Sequence, residues 1–371
     1  MTRARPKTII KTENRIKMRK TLYFTYALVM TMALALITSC APGPSKKAKE
    51  DALKEKEQDS IYLFSFFREP QGLGGLNLAY SHDLLEWKEI PGPFFEPSVG
   101  AKIKENDTLD DRFLRDPFLV KDPKPNGGYH MVWTTGKVGF GIAHSQDLVT
   151  WHGEEFVPVL PGRPAENCWA PKLFFNAEDG NWIVLWSSTL GDDTFPDPVV
   201  PGTSRNHRLW YMKTKDFKTY SEAQVFFDPG HSAIDANLFK AEGKYHLFFK
   251  DERANNTPDV NPEYQNIRVA TSDDFYGPFT QISDPITGHG KGIWENEGPT
   301  PLKHRDKYYC FYDHHGVNGY FGLLKSDDLV HWKDISGQLK MPENCRHGNV
   351  LRVPAKEVAN LVNAPIEYHK Q

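Results

Sequence analysis

Five copies of one short turn pattern recur along this chain, and they constrain its fold more than any other feature. Each copy places a Ser or Thr two residues before an Asp and an aromatic residue four or five residues after it. The five aspartates are Asp83, Asp147, Asp216, Asp274 and Asp328, which lie 64, 69, 58 and 54 residues apart. Self-similarity at this period indicates an array of equivalent supersecondary units.

The chemistry of each copy is that of a tight turn between two strands. An Asp side chain can accept a hydrogen bond from the backbone two residues further on, and each copy follows a short apolar run. Five such units of four strands predict an all-β fold, a five-bladed β-propeller. The first blade, at 61–90, shows only three strands, so the C-terminal run 349–353 is predicted to be its inner strand. Pairing of the two termini in one blade would close the ring and leave no unpaired edge.

The N-terminal segment has the pattern of a targeting signal. Arg19 and Lys20 precede an apolar stretch at 22–37, and Cys40 follows two small residues. Residues 1–39 are therefore predicted to be a signal peptide, with Met18 as the true start. Cys40 resembles the lipidated Cys of bacterial lipoproteins, and 40–59 are predicted to form a solvated tether. The alternative is a membrane-spanning anchor, for which the stretch is borderline in length.

With this signal, we expect a protein that is lipid-anchored to a bacterial membrane, at the cell surface or in the periplasm. The propeller would then occupy 60–371, contact the membrane only through the lipid, and act as a monomer. Residues 40–371 carry 37 basic and 47 acidic residues, a net charge of −10. No basic run is interleaved with aromatic residues, which excludes nucleic acid as a partner.

Three cysteines remain after Cys40. Cys168, Cys310 and Cys345 are an odd number and lack the spacing of metal ligands. Buried free thiols with at most one disulfide are expected.

Four apolar strands open directly behind a polar residue, at 115–120, 169–175, 234–240 and 297–303. As the first strands of their blades they are predicted to line the central channel. Asp116, Asp235 and Glu297 would then face one channel from equivalent positions of three blades. Glycosidic bond cleavage needs one protonated carboxyl for the leaving oxygen and one ionised carboxylate to activate water. A third carboxylate can tune the acid. Glu295 is the rival of Glu297 for the acid.

The openings of these strands resemble those of glycoside hydrolase family 43. The resemblance rests on Asp-Pro at 116–117, Trp-Ala-Pro at 169–171, Ile-Asp at 234–235, Glu-Gly-Pro at 297–299 and His-Gly-Asn at 347–349. It covers roughly 110–353. That family comprises five-bladed propellers that act with inversion on plant polysaccharides containing arabinose, xylose and galactose.

The resemblance implies a role for each matching residue. Asp116 would be the general base, Asp235 would tune and orient the acid, and Glu297 would be the general acid. His347 matches a histidine that reaches the axial channel, where water or a cation such as calcium often sits. No cofactor is required, although the channel is expected to accommodate a structural Ca²⁺. Ala236 and Asn237 depart from the usual Pro-Ser or Pro-Thr. This departure affects the assignment to a subfamily but does not change the carboxylates that the chemistry needs.

The function expected from this resemblance is an inverting hydrolase that removes arabinofuranosyl, xylosyl or galactosyl units from plant-derived glycans. One alternative is a retaining fructosidase similar to family 32. That chemistry requires an Asn-Asp-Pro-Asn opening and a Glu before Cys-Pro, whereas this chain has Glu69-Pro70 and Ala170. A catalytically silent, glycan-binding propeller is the other alternative. The complete set of carboxylates favours an enzyme.

Candidate substrate-binding residues are Trp169, Trp294, Phe140 and Arg253. Sugar rings present apolar C–H faces that stack on aromatic side chains, although packing between blades is the alternative for each aromatic residue. The segment 190–208, rich in Asp, Pro and Gly, is too long for a simple hairpin turn. It is expected to form part of the rim of the pocket.

Overall fold

The computed structural model describes residues 60–68, 74–99, 114–195, 205–253, 265–288, 291–293, 295–315 and 320–364. Within these ranges, twenty strands form five antiparallel sheets of four strands each. The fold is a five-bladed β-propeller, which confirms the predicted fold class.

The first blade has strands from both ends of the described chain. It contains β1 (Ser60–Arg68), β2 (Leu76–Ser81), β3 (Lys88–Phe95) and β20 (Cys345–Pro354). Their order is β20-β1-β2-β3, so β20 is the inner edge. Antiparallel pairing joins Ser60 to Pro354 at one end and Arg68 to Cys345 at the other. The predicted closure of the ring by the two termini is confirmed.

The other four blades each come from one continuous stretch of chain. The second has β4 (Arg115–Lys121), β5 (Tyr129–Thr134), β6 (Gly139–Ser145) and β7 (Trp151–Pro158). The third has β8 (Trp169–Asn176), β9 (Asn181–Ser188), β10 (Arg208–Thr214) and β11 (Gln224–Phe227). The fourth has β12 (Ala233–Ala241), β13 (Lys244–Asp251), β14 (Asn266–Ser272) and β15 (Gln281–Ile282). The fifth has β16 (Asn296–His304), β17 (Lys307–His314), β18 (Tyr320–Ser326) and β19 (Trp332–Asp334).

In the described part of the chain, two short helices accompany the strands. A 3₁₀ helix (Ser336–Gln338) follows β19, and α1 (Ala355–Asn363) follows β20. Val358 and Leu361 of α1 are buried against the core between the first two blades.

The five inner strands form a ring. β4 contacts β8, β8 contacts β12, β12 contacts β16, β16 contacts β20, and β20 contacts β4. As predicted, the strands that open at Arg115, Trp169 and Asn296, together with β12, are the first and innermost of their blades. Residues near the starts of these strands therefore converge around the axis.

Each interface between neighbouring blades holds its own apolar core, which explains why the middle strands are apolar on both faces. Successive side chains of a strand point to opposite faces. In β9, Trp182, Val184 and Trp186 pack against the second blade, while Ile183 and Leu185 pack against the fourth. The middle strands are thus fixed between two blades rather than facing solvent.

The recurring turns join the third and fourth strands of each blade, as the sequence predicts. In the first turn, Asp83 Oδ1 accepts hydrogen bonds from the backbone N–H groups of Leu85 (2.9 Å) and Glu86 (3.0 Å). The same Asp contact to the residue two positions on is found in the other four turns. Leu84, in the left-handed region at φ 71°, is fully buried. Each turn therefore inserts an apolar side chain into an interface between blades.

Asn349 connects the closing strand to the next blade. Its Oδ1 accepts hydrogen bonds from the backbone N–H of Leu119 (2.7 Å) and the hydroxyl of Ser65 (2.8 Å), and its Nδ2 donates to Leu119 O (2.8 Å). Gly348 beside it has no room for a side chain, because a Cβ would collide with the Ser65 carbonyl. The joint between β20, β1 and β4 is thus a tightly packed polar contact.

Several predictions concern residues outside the described ranges. The signal peptide, the tether, Met18, lipidated Cys40 and Trp294 all belong there, so these assignments stay predictions. Among the residues that the structure describes, no helix has the length and apolarity needed to cross a membrane. Cys168, Cys310 and Cys345 are buried free thiols, in agreement with the expectation from their number.

We predict that Asn349→Ala lowers the free energy of unfolding by about 2–4 kcal/mol, because the buried N–H and C=O of Leu119 both lose their partner. Urea denaturation measures this change. Asn363→Ala is the matched control, since Asn363 bonds only the Ala359 carbonyl at an exposed position, and its effect should stay within about 0.5 kcal/mol. Equal effects of the two substitutions would show that Asn349 does not stabilise the closure.

Candidate active site

Every inner strand carries a β-bulge at the same place. In β4, pairing with β5 passes from Arg115 directly to Phe118, so two residues oppose one. The same shift follows Trp169 in β8, Ile234 in β12, Glu297 in β16 and Arg346 in β20. Bulges re-aim side chains and are common beside active sites. Five equivalent kinks therefore surround the axis.

The bulge defines two sets of equivalent residues. The last paired residues are Arg115, Trp169, Ile234, Glu297 and Arg346. The first residues of the bulges are Asp116, Ala170, Asp235, Gly298 and His347. Three carboxylates were predicted at equivalent positions, and this is wrong for one of them. Glu297 lies one residue earlier than Asp116 and Asp235, because Gly298 occupies the bulge of its strand.

Most of the bulge residues adopt a backbone conformation that non-glycine residues avoid. Their φ angles are 53° at Asp116, 47° at Ala170, 58° at Asp235 and 62° at Gly298. Such strain persists only where the surroundings hold it. Here hydrogen bonds from the preceding blade stabilise the bulge. Thr134 Oγ1 accepts a hydrogen bond from Ala170 N (2.9 Å), and Ser187 Oγ accepts one from Asp235 N (3.3 Å).

The bulges surround a cavity of about 380 Å³ at one end of the ring. Its wall contains Asp116, Asp235, Glu297, Trp169 and His347, so five of the predicted site residues meet in one pocket. Glu295, the alternative acid, is not part of the wall. A larger cavity of about 550 Å³ is lined by residues of β17, β18 and β19 and of nearby turns. It contains none of these inner-strand groups, so it is not the site.

His347 is the charge centre of the pocket. Its Nε2 lies 2.9 Å from Asp116 Oδ1, and its Nδ1 lies 3.2 Å from Asp313 Oδ1 and 3.7 Å from Glu297 Oε1. Burial by itself would lower the pKa of His347, but Asp313, Asp116 and Asp235 outweigh it and raise the pKa well above its usual range. The imidazole is therefore a cation that links carboxylates from different blades.

Asp116 is ionised in this environment. Burial raises the pKa of Asp116, but the charges of His347 and Arg115 and the hydroxyl of Thr134 lower it far below its usual range. Thr134 Oγ1 donates to Asp116 Oδ2 at 2.6 Å. A buried carboxylate that keeps its charge and faces a pocket can accept a proton from water.

Glu297 is held between two cations. Lys250 Nζ is 3.0 Å from Glu297 Oε2, and Arg346 Nη2 is 2.7 Å from Glu297 Oε1. Burial raises the pKa of Glu297, but Lys250, His347, His315 and Arg346 lower it far below its usual range. In the free pocket Glu297 is thus a carboxylate rather than a carboxylic acid.

Asp235 is the carboxyl that keeps a proton. Burial raises the pKa of Asp235 to about 6, with further increases from Glu297 and Asp116 against the opposing charges of His347 and Lys250. Its Oδ2 accepts a hydrogen bond from Gly298 N at 3.0 Å. Because Asp235 and Glu297 are close together, they titrate as a pair, and the shared proton lies mainly on Asp235.

Trp169 forms an aromatic wall of the pocket. The His207 ring packs against it with centroids 4.7 Å apart, and the Arg205 guanidinium lies 5.2 Å from its ring. His207 is in turn fixed by Glu252 at 2.8 Å. A half-buried indole held in this way can receive the apolar face of a sugar.

Two predicted substrate contacts do not fit the structure. Phe140 is fully buried in the core between the second and third blades, so it packs against other side chains instead of a sugar. Arg253 is not part of the pocket wall, and its guanidinium is paired with Asp251 at 2.6 Å. Both residues were predicted because they lie near strand ends. That position in the sequence does not show in which direction the side chain points.

Residues 57–359 match the family described as a probable glycosyl hydrolase domain, which is related to glycoside hydrolase family 43. The chain belongs to this family. The predictions of an enzyme and of this family resemblance are confirmed at that level. The match includes all five inner strands and hence every residue of the pocket described above.

Individual relatives of this glycosyl hydrolase domain share only a low percentage of identical residues with it. An α-L-arabinofuranosidase from Bifidobacterium longum subsp. longum is 25% identical over 272 residues, which are 66% of this chain and 24% of that protein. The chain thus spans about a quarter of that relative.

Similar solved structures include an α-L-arabinofuranosidase from Lactobacillus brevis. It has 19% identity, a TM-score of 0.49, and coverage of 60% of this chain and 72% of the other. An exo-β-1,3-galactanase from Phanerochaete chrysosporium has 14% identity, a TM-score of 0.45, and coverage of 66% and 53%. Likeness at this level carries no further argument about the domain.

The donor set of the pocket does not fit the expected calcium ion. Asp235, Glu297 and His347 each offer one donor atom, and these atoms lie within 4.8 Å of one another. Calcium takes about six to eight oxygen ligands. One of the three donors is a histidine nitrogen rather than an oxygen, and Lys250 and Arg346 already neutralise Glu297. No chemical step in the pocket is therefore assigned to a metal.

Several residues of the site were not singled out from the sequence. They are Lys250, Arg346, Asp313, Arg205 and Glu252. Arg346 directly precedes the His-Gly-Asn motif, and Arg205 belongs to the long 190–208 segment. Both positions in the sequence could therefore have indicated a residue of the site. Asp313 and Lys250 lie near the ends of second strands, where only the register across the sheet shows that they face the inner strand.

For the glycosyl hydrolase domain we predict that neither Ca²⁺ nor a chelator shifts the thermal unfolding midpoint by more than about 1 °C, because binding that stabilises only the folded state would raise it. Differential scanning calorimetry with 1 mM CaCl₂ or with EDTA measures this. Magnesium at the same ionic strength is the control for general salt effects. A calcium-specific rise of several degrees would contradict the charge arrangement proposed for His347.

Proposed function

We propose that the pocket hydrolyses terminal arabinofuranosyl, xylosyl or galactosyl linkages of plant-derived glycans with inversion of configuration. One observation carries the proposal. Three carboxylates from three blades share one pocket, and their environments keep Asp116 ionised while they raise the pKa of Asp235 to about 6. Pairs of titratable groups with separated pKa values are the usual mark of acid and base roles.

Asp116 is assigned the general base. The His347 imidazolium and the Thr134 hydroxyl orient its carboxylate. In this role Asp116 removes a proton from a water molecule as that water attacks the anomeric carbon. The positive charge of His347 keeps Asp116 ionised while the pocket is closed to bulk solvent by the sugar.

Glu297 is assigned the residue that protonates the leaving oxygen, with Asp235 as its partner. The free pocket holds the shared proton on Asp235 and leaves Glu297 ionised. The proton therefore moves from Asp235 to Glu297 before Glu297 donates it. One proton leaves this pair for the leaving oxygen, and one enters Asp116 from water, so the balance is kept.

The spacing of the carboxyls does not exceed the range found for inverting pairs. The imidazole of His347 lies between Asp116 and Glu297, at 2.9 Å from the first and 3.7 Å from the second. The facing oxygens are therefore at most about 9 Å apart, below the upper limit of roughly 9.5 Å for inverting pairs. Inversion requires room for a water between base and sugar.

The sugar is proposed from the relatives. The curated relative is named an α-L-arabinofuranosidase, and the resemblance to family 43 adds xylosyl and galactosyl linkages as candidates. A cavity of about 380 Å³ with one aromatic wall at Trp169 suits a single sugar ring. Release of nitrophenol from a panel of aryl glycosides tests the proposal, and no release from any pentoside or galactoside would overturn it.

We predict that Asp116→Asn and Glu297→Gln each lower kcat by at least about a hundredfold, the low end for loss of general acid–base catalysis. Both changes are close to isosteric, so circular dichroism and the unfolding midpoint should be preserved. Glu295→Gln is the matched control, two residues from Glu297 but outside the pocket wall. If either test variant kept more than half of the wild-type rate, its assigned role would be wrong.

The pH dependence follows from the shared proton. The rate requires a protonated pair, so kcat/KM should fall as pH rises through about 6, the value given by Asp235. Asp235→Asn removes a negative neighbour, which lowers the pKa of Glu297. The upper limb of the pH profile, where kcat/KM falls with rising pH, should therefore move to lower pH. A limb that stays in place, or moves upward, would leave Asp235 with a purely positional role.

We also predict that the first-formed sugar has the inverted anomeric configuration. Direct displacement by a water that Asp116 activates reverses the anomeric centre once. Proton NMR of the product in the first minutes, before mutarotation, distinguishes the two anomers. A retained anomer would require a carboxylate nucleophile and would remove the base role from Asp116.

A further inference from the structure

Lys250 departs from a pattern that three of the other blades share, while the first blade has Phe67 at the corresponding position. The residue across the sheet from the last paired residue before the bulge is Thr134 in the second blade, Ser187 in the third and Asp313 in the fifth. Each accepts a hydrogen bond from the backbone N–H of the next bulge, at 2.9, 3.3 and 3.2 Å. In the fourth blade the corresponding residue is Lys250, opposite Ile234.

A lysine cannot accept that hydrogen bond, and another residue provides it. Asp235 Oδ2 accepts from Gly298 N at 3.0 Å, so the bulge of the fifth blade is held by the carboxyl of Asp235. The backbone role that Thr134, Ser187 and Asp313 fill is therefore satisfied without Lys250. Its side chain is available for a different purpose.

The ammonium group of Lys250 points into the pocket. It lies 3.0 Å from Glu297 Oε2, its side chain is only 3% exposed, and it belongs to the cavity wall. Burial of an ammonium ion is costly unless it is paired. Among the described residues, the ammonium group of Lys250 is paired with Glu297, one of the three carboxylates assigned to the reaction.

Charged groups face Lys250 from every neighbouring inner element. Glu297 lies on β16, Asp235 on β12, and Glu252 directly follows β13, and all three raise the pKa of Lys250 against the effect of burial. Arg346 and His347 on β20 and His315 after β17 are the other cationic or titratable groups that act on Glu297. Lys250 and His347 both act on Glu297 and on Asp235, and Lys250 lies closer to Glu297, at 3.0 Å against 3.7 Å for His347.

We propose that Lys250 is a positioning residue that decides which carboxyl of the Asp235–Glu297 pair carries the shared proton. With its ammonium on Glu297 Oε2, Glu297 is ionised and the proton stays on Asp235. When that contact is lost, one proton moves from Asp235 to Glu297, and the charge of the pair is unchanged. This inference rests on the proposed function, in which Glu297 protonates the leaving oxygen.

The test compares Lys250→Met, Lys250→Arg and the wild type by kcat/KM between pH 4 and 9 on an aryl glycoside that the wild type hydrolyses. Removal of a cation beside a carboxyl raises its pKa, so Lys250→Met should move the upper limb upward by at least about one pH unit. Lys250→Arg keeps the charge and should restore the wild-type limb. A Lys250→Met limb that coincides with the wild type, or moves downward, would overturn the proposal.

Lys303→Met is the matched control. Lys303 pairs with Glu242 at 3.3 Å near the opposite end of β16 from Glu297 and is 46% exposed, and its loss should leave the profile unchanged. If Lys250→Met does not fold, Lys250→Gln takes its place, because it removes the same charge and keeps a polar end.

A second measurement separates this inference from the proposed function. Infrared difference spectroscopy follows carboxyl protonation without any substrate, with Asp235→Asn and Glu297→Gln as the references that assign each band. In the wild type the band that titrates near pH 6 should belong to Asp235, and in Lys250→Met a Glu297 band should appear at that pH or above. An unchanged spectrum would overturn the inference even if the enzyme is active. A shifted spectrum in a protein that hydrolyses no glycoside would instead overturn only the proposed function.

Discussion

Pairing of β1 with β20 is the contact on which the rest of the structure depends. The register runs from Ser60–Pro354 to Arg68–Cys345 and places the last strand on the inside of the first blade. That strand brings Arg346 and His347 to the axis and Asn349 to the joint with β4. A chain that ended before β20 would have an unpaired edge and would also lack the central cation of the pocket. The same strand, β20, therefore closes the ring and completes the site.

His347 makes it feasible to bury so many carboxylates together. Asp116, Asp235, Asp313 and Glu297 all lie within 4 Å of its ring nitrogens. In a medium of low dielectric, like charges at such distances could not all be ionised. The imidazolium stabilises Asp116 and Asp313, the pair Lys250 and Arg346 stabilises Glu297, and Asp235 keeps a proton instead. The different roles of the carboxylates follow from which cation each one faces.

The bulges connect this electrostatic arrangement to the fold. The left-handed backbone at Asp116 and Asp235 turns both carboxyls toward the axis, and a hydroxyl or carboxyl from the preceding blade fixes most bulges. Gly298 serves the fifth blade because a Cβ there would collide with the His347 ring. The shift of Glu297 to the position before the bulge follows from this collision. It also brings Glu297 within reach of Lys250 on one side and Arg346 on the other.

The sequence by itself determined the number of blades, the inner strand of each and the convergence of Asp116, Asp235, Glu297, Trp169 and His347. These features depend on turns such as 81–87, whose hydrogen bonds join residues two or three positions apart, and on short motifs at strand starts. Tertiary structure alone decided that Phe140 is buried in a core, that Arg253 pairs with Asp251, and that Lys250 and Arg346 clamp Glu297. The two contacts of Glu297 join residues of different blades that are 47 and 49 positions apart in the chain. The protonation of a buried carboxyl depends on the sum of such distant charges, which no local pattern of residues encodes.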